Sequence, residues 1–147
     1  MDHRVLDLDT ALAIASAVLS VRRHRGHRPL TVAVLDPGGH VVVLQREDGS
    51  GILRPQIAVG KALGALGMGF GTRELARLAQ ENPQFVAALS ALSPGGLVPA
   101  PGGVLVRLAA GATEVLGAVG VSGDASDRDE ECALHAIASV GLTADPG

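Results

Sequence analysis

The chain is almost without aromatic side chains: it has no tryptophan, no tyrosine and only two phenylalanines, Phe70 and Phe85. Base stacking on aromatic platforms is therefore not open to it, and a net charge of −3 argues further against a nucleic-acid surface. Basic residues cluster only over Arg22–Arg28, which reads as a solvated helix end. Cysteine is equally scarce, with Cys132 alone, which excludes an internal disulfide framework and suits a reducing compartment. No run approaches the ~18 uninterrupted apolar residues that span a membrane. The opening stretch, Met1–Asp7, has early acids and no basic-then-apolar signal pattern, so a cytoplasmic location is expected. Phosphate-loop, dinucleotide and zinc patterns are missing as well. Ser122 stands in Gly-Val-Ser-Gly-Asp, which is not the nucleophile elbow of a hydrolase.

What is present is small and aliphatic. A chain of 147 residues, 47% apolar, has room for one domain over 1–147 with a core of Val, Leu, Ile and Ala. The spacing predicts a helix from about Thr10 to His24, with Asp9 as N-cap and Gly26 as its stop. Strands at Leu30–Leu35 and Val41–Gln45 flank Asp36-Pro37-Gly38-Gly39-His40, a turn that makes an antiparallel hairpin. A helix over Arg54–Met68 carries Gly60, Gly64 and Gly67, so one face is nearly bare backbone, which suggests close packing or a ligand against it. Thr72 and Asn82-Pro83 read as caps of helices over Arg73–Gln80 and Pro83–Leu92. After the Pro/Gly-rich passage Ser93–Gly103, strands are expected at Val104–Leu108 and Glu114–Ser122, and a final helix at Ser126–Val140. Hairpin connections imply an α+β fold, an antiparallel sheet of about five strands with packed helices.

The most informative run is Val115–Gly123 followed by Asp124–Glu131: an apolar strand that breaks at Ser-Gly and re-enters as a helix. Gly117 and Gly120 weaken the strand and mark close approach by a ligand or another backbone. Asp127 and Asp129 complement the dipole of the new helix, and Ser126 with Asp129 has capping-box spacing.

Six stretches in register resemble the GlcG/HbpS-like family, the haem-degrading domain family, which includes the C-terminal domain of PduO-type proteins. They are Val34–Gly39, Arg46–Gly49, Ile57–Ala62, Pro101–Val104, Gly117–Gly123 and Asp127–Ala133. The resemblance covers nearly the whole chain. It implies a small profilin-like α/β sandwich that assembles as a homo-oligomer, with haem or another tetrapyrrole as ligand in some members. Three positions depart from the family pattern: Arg54 replaces a small hydroxylated residue, Gly64 a threonine, and Leu105 a proline.

Arg46, Asp48 and Lys61 form the leading constellation, a fork of donors, a carboxylate and an ammonium suited to a carboxylate-bearing ligand. With Gly102, Gly103 and Ser122 they make up the expected pocket of a small-ligand-binding module. In an alternative, cofactor-independent enzyme acting on an oxygenated organic molecule, Lys61 or Asp48 is the general acid or base. In a third reading the Gly/Ala faces serve only subunit packing; the plainer account of the constellation itself is an Arg46–Asp48 pair that pins the corner, with Lys61 snorkelling outward from its helix. His24 with His27, and Cys132 with His135, have spacings that permit ligation or a thiolate–imidazole pair. Solvated histidines and a half-buried thiol are the plainer expectation for them, and for His40 on its turn. No metal site is expected.

Overall fold

Two layers of helices enclose an antiparallel sheet, and the side chains of the two sheet faces explain why the layers differ. The computed structural model describes residues 6–147, so the reading of Met1–Val5 lies outside the described residues. The elements are α1 (Leu8–Arg25), β1 (Thr31–Leu35), β2 (Val41–Arg46), α2 (Arg54–Met68), α3 (Thr72–Glu81), α4 (Pro83–Leu92), β3 (Gly103–Arg107), β4 (Gly117–Ser122), α5 (Ser126–Ser139) and β5 (Thr143–Asp145). The sheet order is β2-β1-β4-β3-β5, with every neighbouring pair antiparallel. This is the expected α+β fold.

Successive strand residues face opposite ways. Val32, Val34, Val104, Val106, Val119 and Val121 point to one side, where they pack on Ile14 and Val18 of α1 and on Cys132, Ala133 and Ile137 of α5. Ala33, Leu35, Leu105 and Ala118 point to the other, against Ala58, Ala62 and Ala65 of α2. On that second side α2 comes down to backbone contact. A Cβ at Gly120 would fall on the Ala58 carbonyl, and one at Gly103 on the Lys61 carbonyl. The close approach marked by Gly120 is therefore that of a helix backbone. The glycines of α2 face elsewhere: Gly60 lies under Val98 and Gly96, Gly64 against Leu75 and Thr72, and Gly67 has nothing against it.

Several local expectations are corrected. The side chain that caps α1 is Asp7, whose Oδ1 accepts the Thr10 N–H at 2.8 Å, while Asp9 sits in the first turn. Thr72 is inside α3, after an N-cap at Gly71. Its hydroxyl accepts the Gly103 N–H at 2.8 Å and straps the helix to β3. The Ser126–Asp129 capping box does not form, because the N-cap of α5 is Ala125, which offers no side-chain cap, and Asp129 is engaged elsewhere. The final helix does not end the fold: β5 follows it and pairs with β3. Among the described residues no helix is long and apolar enough to cross a membrane.

Candidate functional site

Lys61 lies on the sheet-facing side of α2, where helical spacing aligns it with Ala58, Ala62 and Ala65. It is only 2% exposed. Its ammonium donates to the Val121 carbonyl at 2.9 Å and to Asp129 Oδ2 at 3.2 Å. The other carboxylate oxygen of Asp129 accepts the Asp124 N–H at 3.0 Å. A Cβ on Gly102 would stand 2.9 Å from the Lys61 Nζ, and the φ of 122° at that residue is one that glycine alone adopts readily. Lys61, Gly102, Gly103 and Ser122 are thus gathered at one end of the sheet, under the first half of α2.

Burial pushes the Lys61 pKa down, and its attraction to Asp129 opposes that shift. Burial likewise raises the Asp129 carboxyl, against the pull of Lys61. Both groups are drawn towards their neutral forms, as an ion pair taken out of water should be. Arg54 adds to the lowering at Lys61 and helps to hold Asp129 down. The Arg54 guanidinium donates to the Ser122 hydroxyl at 3.1 Å. Beside it, the Thr31 and Ser50 hydroxyls are buried and bonded to each other at 2.8 Å.

Arg46 and Asp48 do not join this group. Arg46 is exposed and donates to the Ser50 carbonyl at 2.8 Å, which pins the corner after β2. Asp48 is exposed on that corner, and among the described residues no ion pair links it to Arg46 or Lys61. The residue between them takes the organising role. Glu47, its side chain 8% exposed, accepts from Arg22 at 2.7 and 2.8 Å, from Arg23 at 3.2 Å and from the Leu30 N–H at 3.0 Å. Burial alone would raise its carboxyl, but the Arg22 fork and the Leu30 amide hold it below the usual range.

The residues missed in the sequence are therefore Asp129 and Glu47. The signal for Asp129 was present: it shares a helical stripe with the buried Cys132, Ala133 and Ala136. Glu47 carried no comparable signal, since its partners lie about 25 residues upstream on α1.

The imidazoles are scattered. His24 is exposed, His40 is bound to Asp36 on its turn, and the His135 Nε2 meets Arg25 at 2.9 Å. The His27 Nε2 is buried without a hydrogen-bond partner, 3.9 Å from Glu131, which is itself paired with Arg25. Cys132 is fully buried, and burial pushes its thiol up to about 11, so it supplies no thiolate at neutral pH. No group of three or more metal-ligating side chains occurs among the described residues.

An open apolar cleft lies elsewhere. A cleft of about 470 Å³ runs over the outer side of α2, walled by Leu44, Ile52, Val59, Leu63 and Pro94 with Gln56 as its polar side chain. Ile52, 88% exposed, stands at its rim. The volume falls within the ~300–1,000 Å³ of small-molecule sites.

The fold is thus an antiparallel sheet between helical layers, with a buried lysine–aspartate pair at one end. The family model for "Haem degrading protein HbpS-like" matches residues 6–138, and the chain belongs to that family. Among solved structures, HbpS is 31% identical with a TM-score of 0.76, the match covering 92% of this chain and 89% of that one. A double mutant of HbpS from Streptomyces reticuli is 30% identical with a TM-score of 0.78, over 93% and 88% of the two chains. PduOC in complex with haem has the same fold, with a TM-score of 0.81 at 24% identity over 94% and 96%. No curated protein sequence gives a significant match.

Proposed function

We propose that the protein binds haem or another tetrapyrrole in the apolar cleft over α2. The cleft itself carries the reading: it is open, of ligand size, and lined by aliphatic side chains with no charged residue. Membership of the HbpS-like family and the haem complex of the structural neighbour PduOC support it. The residues present fit the macrocycle better than the metal. Leu44, Ile52, Val59 and Leu63 suit a flat apolar ring, whereas the cleft lining includes no histidine, cysteine or methionine to coordinate iron. Haem bound there would supply its own redox chemistry, and this chain would contribute burial and orientation.

The test is a visible titration of the purified protein with haemin, and with the iron-free porphyrin in parallel. Saturable binding of both at comparable affinity is the expected result, because the walls and not the iron provide the hold. An L63D substitution in the cleft wall should weaken both by at least about tenfold. A featureless titration with both pigments would remove tetrapyrroles as ligands.

A second reading has one observation in its favour. Buried groups drawn towards neutrality, such as Lys61 and Asp129, occur often at catalytic centres. In that reading the pair moves a proton on a small oxygenated substrate admitted beside Gly102 and Ser122. The enclosure of the Lys61 ammonium by Val121, Asp129 and Gly102 makes it the weaker of the two. Association of copies, expected from the resemblance, would use the exposed Ile52, Leu53 and Leu92, and light scattering reads it directly.

A further inference from the structure

α4 is an apolar helix that the fold leaves almost uncovered. Pro83–Leu92 has no charged residue and carries four large apolar side chains, Phe85, Val86, Leu89 and Leu92. Only Val86 is buried, while Leu92 is 82% exposed. Among the described elements α3 alone packs against it, and no Cα of α4 comes within 8 Å of a Cα of α2. A second cleft, of about 400 Å³, occupies the space between the two helices. It is lined by Leu63, Leu66 and Met68 of α2 and by Leu89 and Leu92 of α4. Apolar side chains held apart in this way keep surface in water that contact would remove.

Both ends of α4 allow it to turn. Asn82, at φ −142° and ψ 72°, breaks the helical path between α3 and α4. Gly95 and Gly96 take φ of 80° and 83°, left-handed values that glycine adopts freely. Beyond them the chain is seated on α2: a Cβ at Gly60 would stand 2.9 Å from the Val98 Cγ2, and Leu97 lies against Gly64. One bond spans this junction, from the Leu97 N–H to the Ser90 Oγ at 3.1 Å. Pro94, Gly95 and Gly96 also wall the first cleft, and Leu63 lines both clefts. A movement of α4 towards α2 therefore carries Pro94 with it.

We propose that α4 is a lid, which swings about Asn82 and Gly95–Gly96 onto Leu63, Leu66 and Met68 and closes the first cleft with Pro94. What the lid encloses rests on the ligand-binding reading above, whereas the movement does not depend on it. A ligand that meets Pro94 only in the closed form draws the lid towards that form. The Ser90–Leu97 bond has to break as α4 turns, so it holds the open form.

The test is a cross-link that the open form cannot make. L66C/L89C places one thiol on each side of the second cleft, and a disulfide needs Cα atoms within about 7 Å. Oxidised glutathione serves as oxidant and iron-free porphyrin as ligand, since haemin would bring redox chemistry of its own. Cys132, fully buried in the opposite layer, stays closed to a thiol reagent for as long as the chain is folded. The expected result is an intramolecular disulfide with Cys132 still protected, formed about threefold or more faster when S90A is added. Bound porphyrin should leave the oxidised form at least about tenfold more slowly than the reduced one. No disulfide, or one that appears only as Cys132 becomes reactive, overturns the lid. Disulfides between molecules overturn it too, and assign these leucines to a second copy. A rate that S90A does not change removes the hinge at Gly95–Gly96, and equal release from both forms removes the coupling to the first cleft. If neither form binds porphyrin, the tetrapyrrole reading fails and the cross-link alone sustains the lid.

Discussion

The two faces of the sheet are built by different physics. Towards α1 and α5, six valines meet Ile14, Val18 and Ile137, an ordinary aliphatic interior in which side chains fill the space between layers. Towards α2 the sheet's Leu35 and Leu105 meet only the alanines of the helix, helix backbone rests on strand backbone at Gly103 and Gly120, and a charged side chain, Lys61, is enclosed there. The first face has volume to exchange and no charge to satisfy. The second has no spare volume and a charge pair that must stay matched. They should respond to substitution in opposite ways.

The largest effect is expected at Lys61. K61M removes the cation and leaves Asp129 buried with one amide hydrogen bond, a loss of about 3–5 kcal/mol of stability. The double variant K61M/D129L, which removes both charges, should recover much of that loss, and denaturant unfolding of the two measures it. If K61M alone were as stable as the wild type, the pair would not be a structural element. Lys61 would then be free for the acid–base role of the alternative reading.

Next come the paired substitutions G120A and I137V, one on each face. The added Cβ at Gly120 meets the Ala58 carbonyl, part of a helix backbone that cannot swing aside. A cost at the upper end of the ~1–3 kcal/mol for overpacking is expected. I137V removes one methylene from the aliphatic face and should cost about 0.5–1.5 kcal/mol. Similar melting temperatures for the two would dissolve the contrast between the faces.

The same contrast governs what was readable in the sequence. Local features were legible: α2 runs over the predicted Arg54–Met68, the hairpin of β1 and β2 forms, and the glycines of β4 do mark a close approach. The partner in that approach was not legible, because it depends on which helix crosses β4. Lys61 was singled out, yet it was grouped with Arg46 and Asp48, which are near in sequence. Its actual partner, Asp129, is 68 residues away and lay disguised as a dipole-complementing residue of a helix start. The cleft left a fainter trace. Val41–Leu44 is continuously apolar in what proves an edge strand, where alternation with polar residues is the rule for a solvated side. β5, three residues long after Gly141, offered too few positions for any period to show.

The last contrast is at Cys132, and it separates the faces by pH. The thiol lies among the aliphatic side chains of the α1–α5 layer, and burial raises it from 9.0 to about 11. Between those values the unfolded chain loses the thiol proton while the folded chain keeps it. Its contribution to stability is therefore whole below pH 9 and declines as pH rises towards 11. Lys61 acts in the reverse sense: its folded pKa is lowered, so the folded chain gives up that proton first and stability gains as pH rises. The wild type superposes the two trends, and C132A removes one of them. Melting temperatures from pH 8 to 10.5 should fall less steeply, or rise, in C132A relative to the wild type. A parallel pair of curves would mean that the thiol titrates as it does in water, and that the valine face is not the dry interior its packing describes.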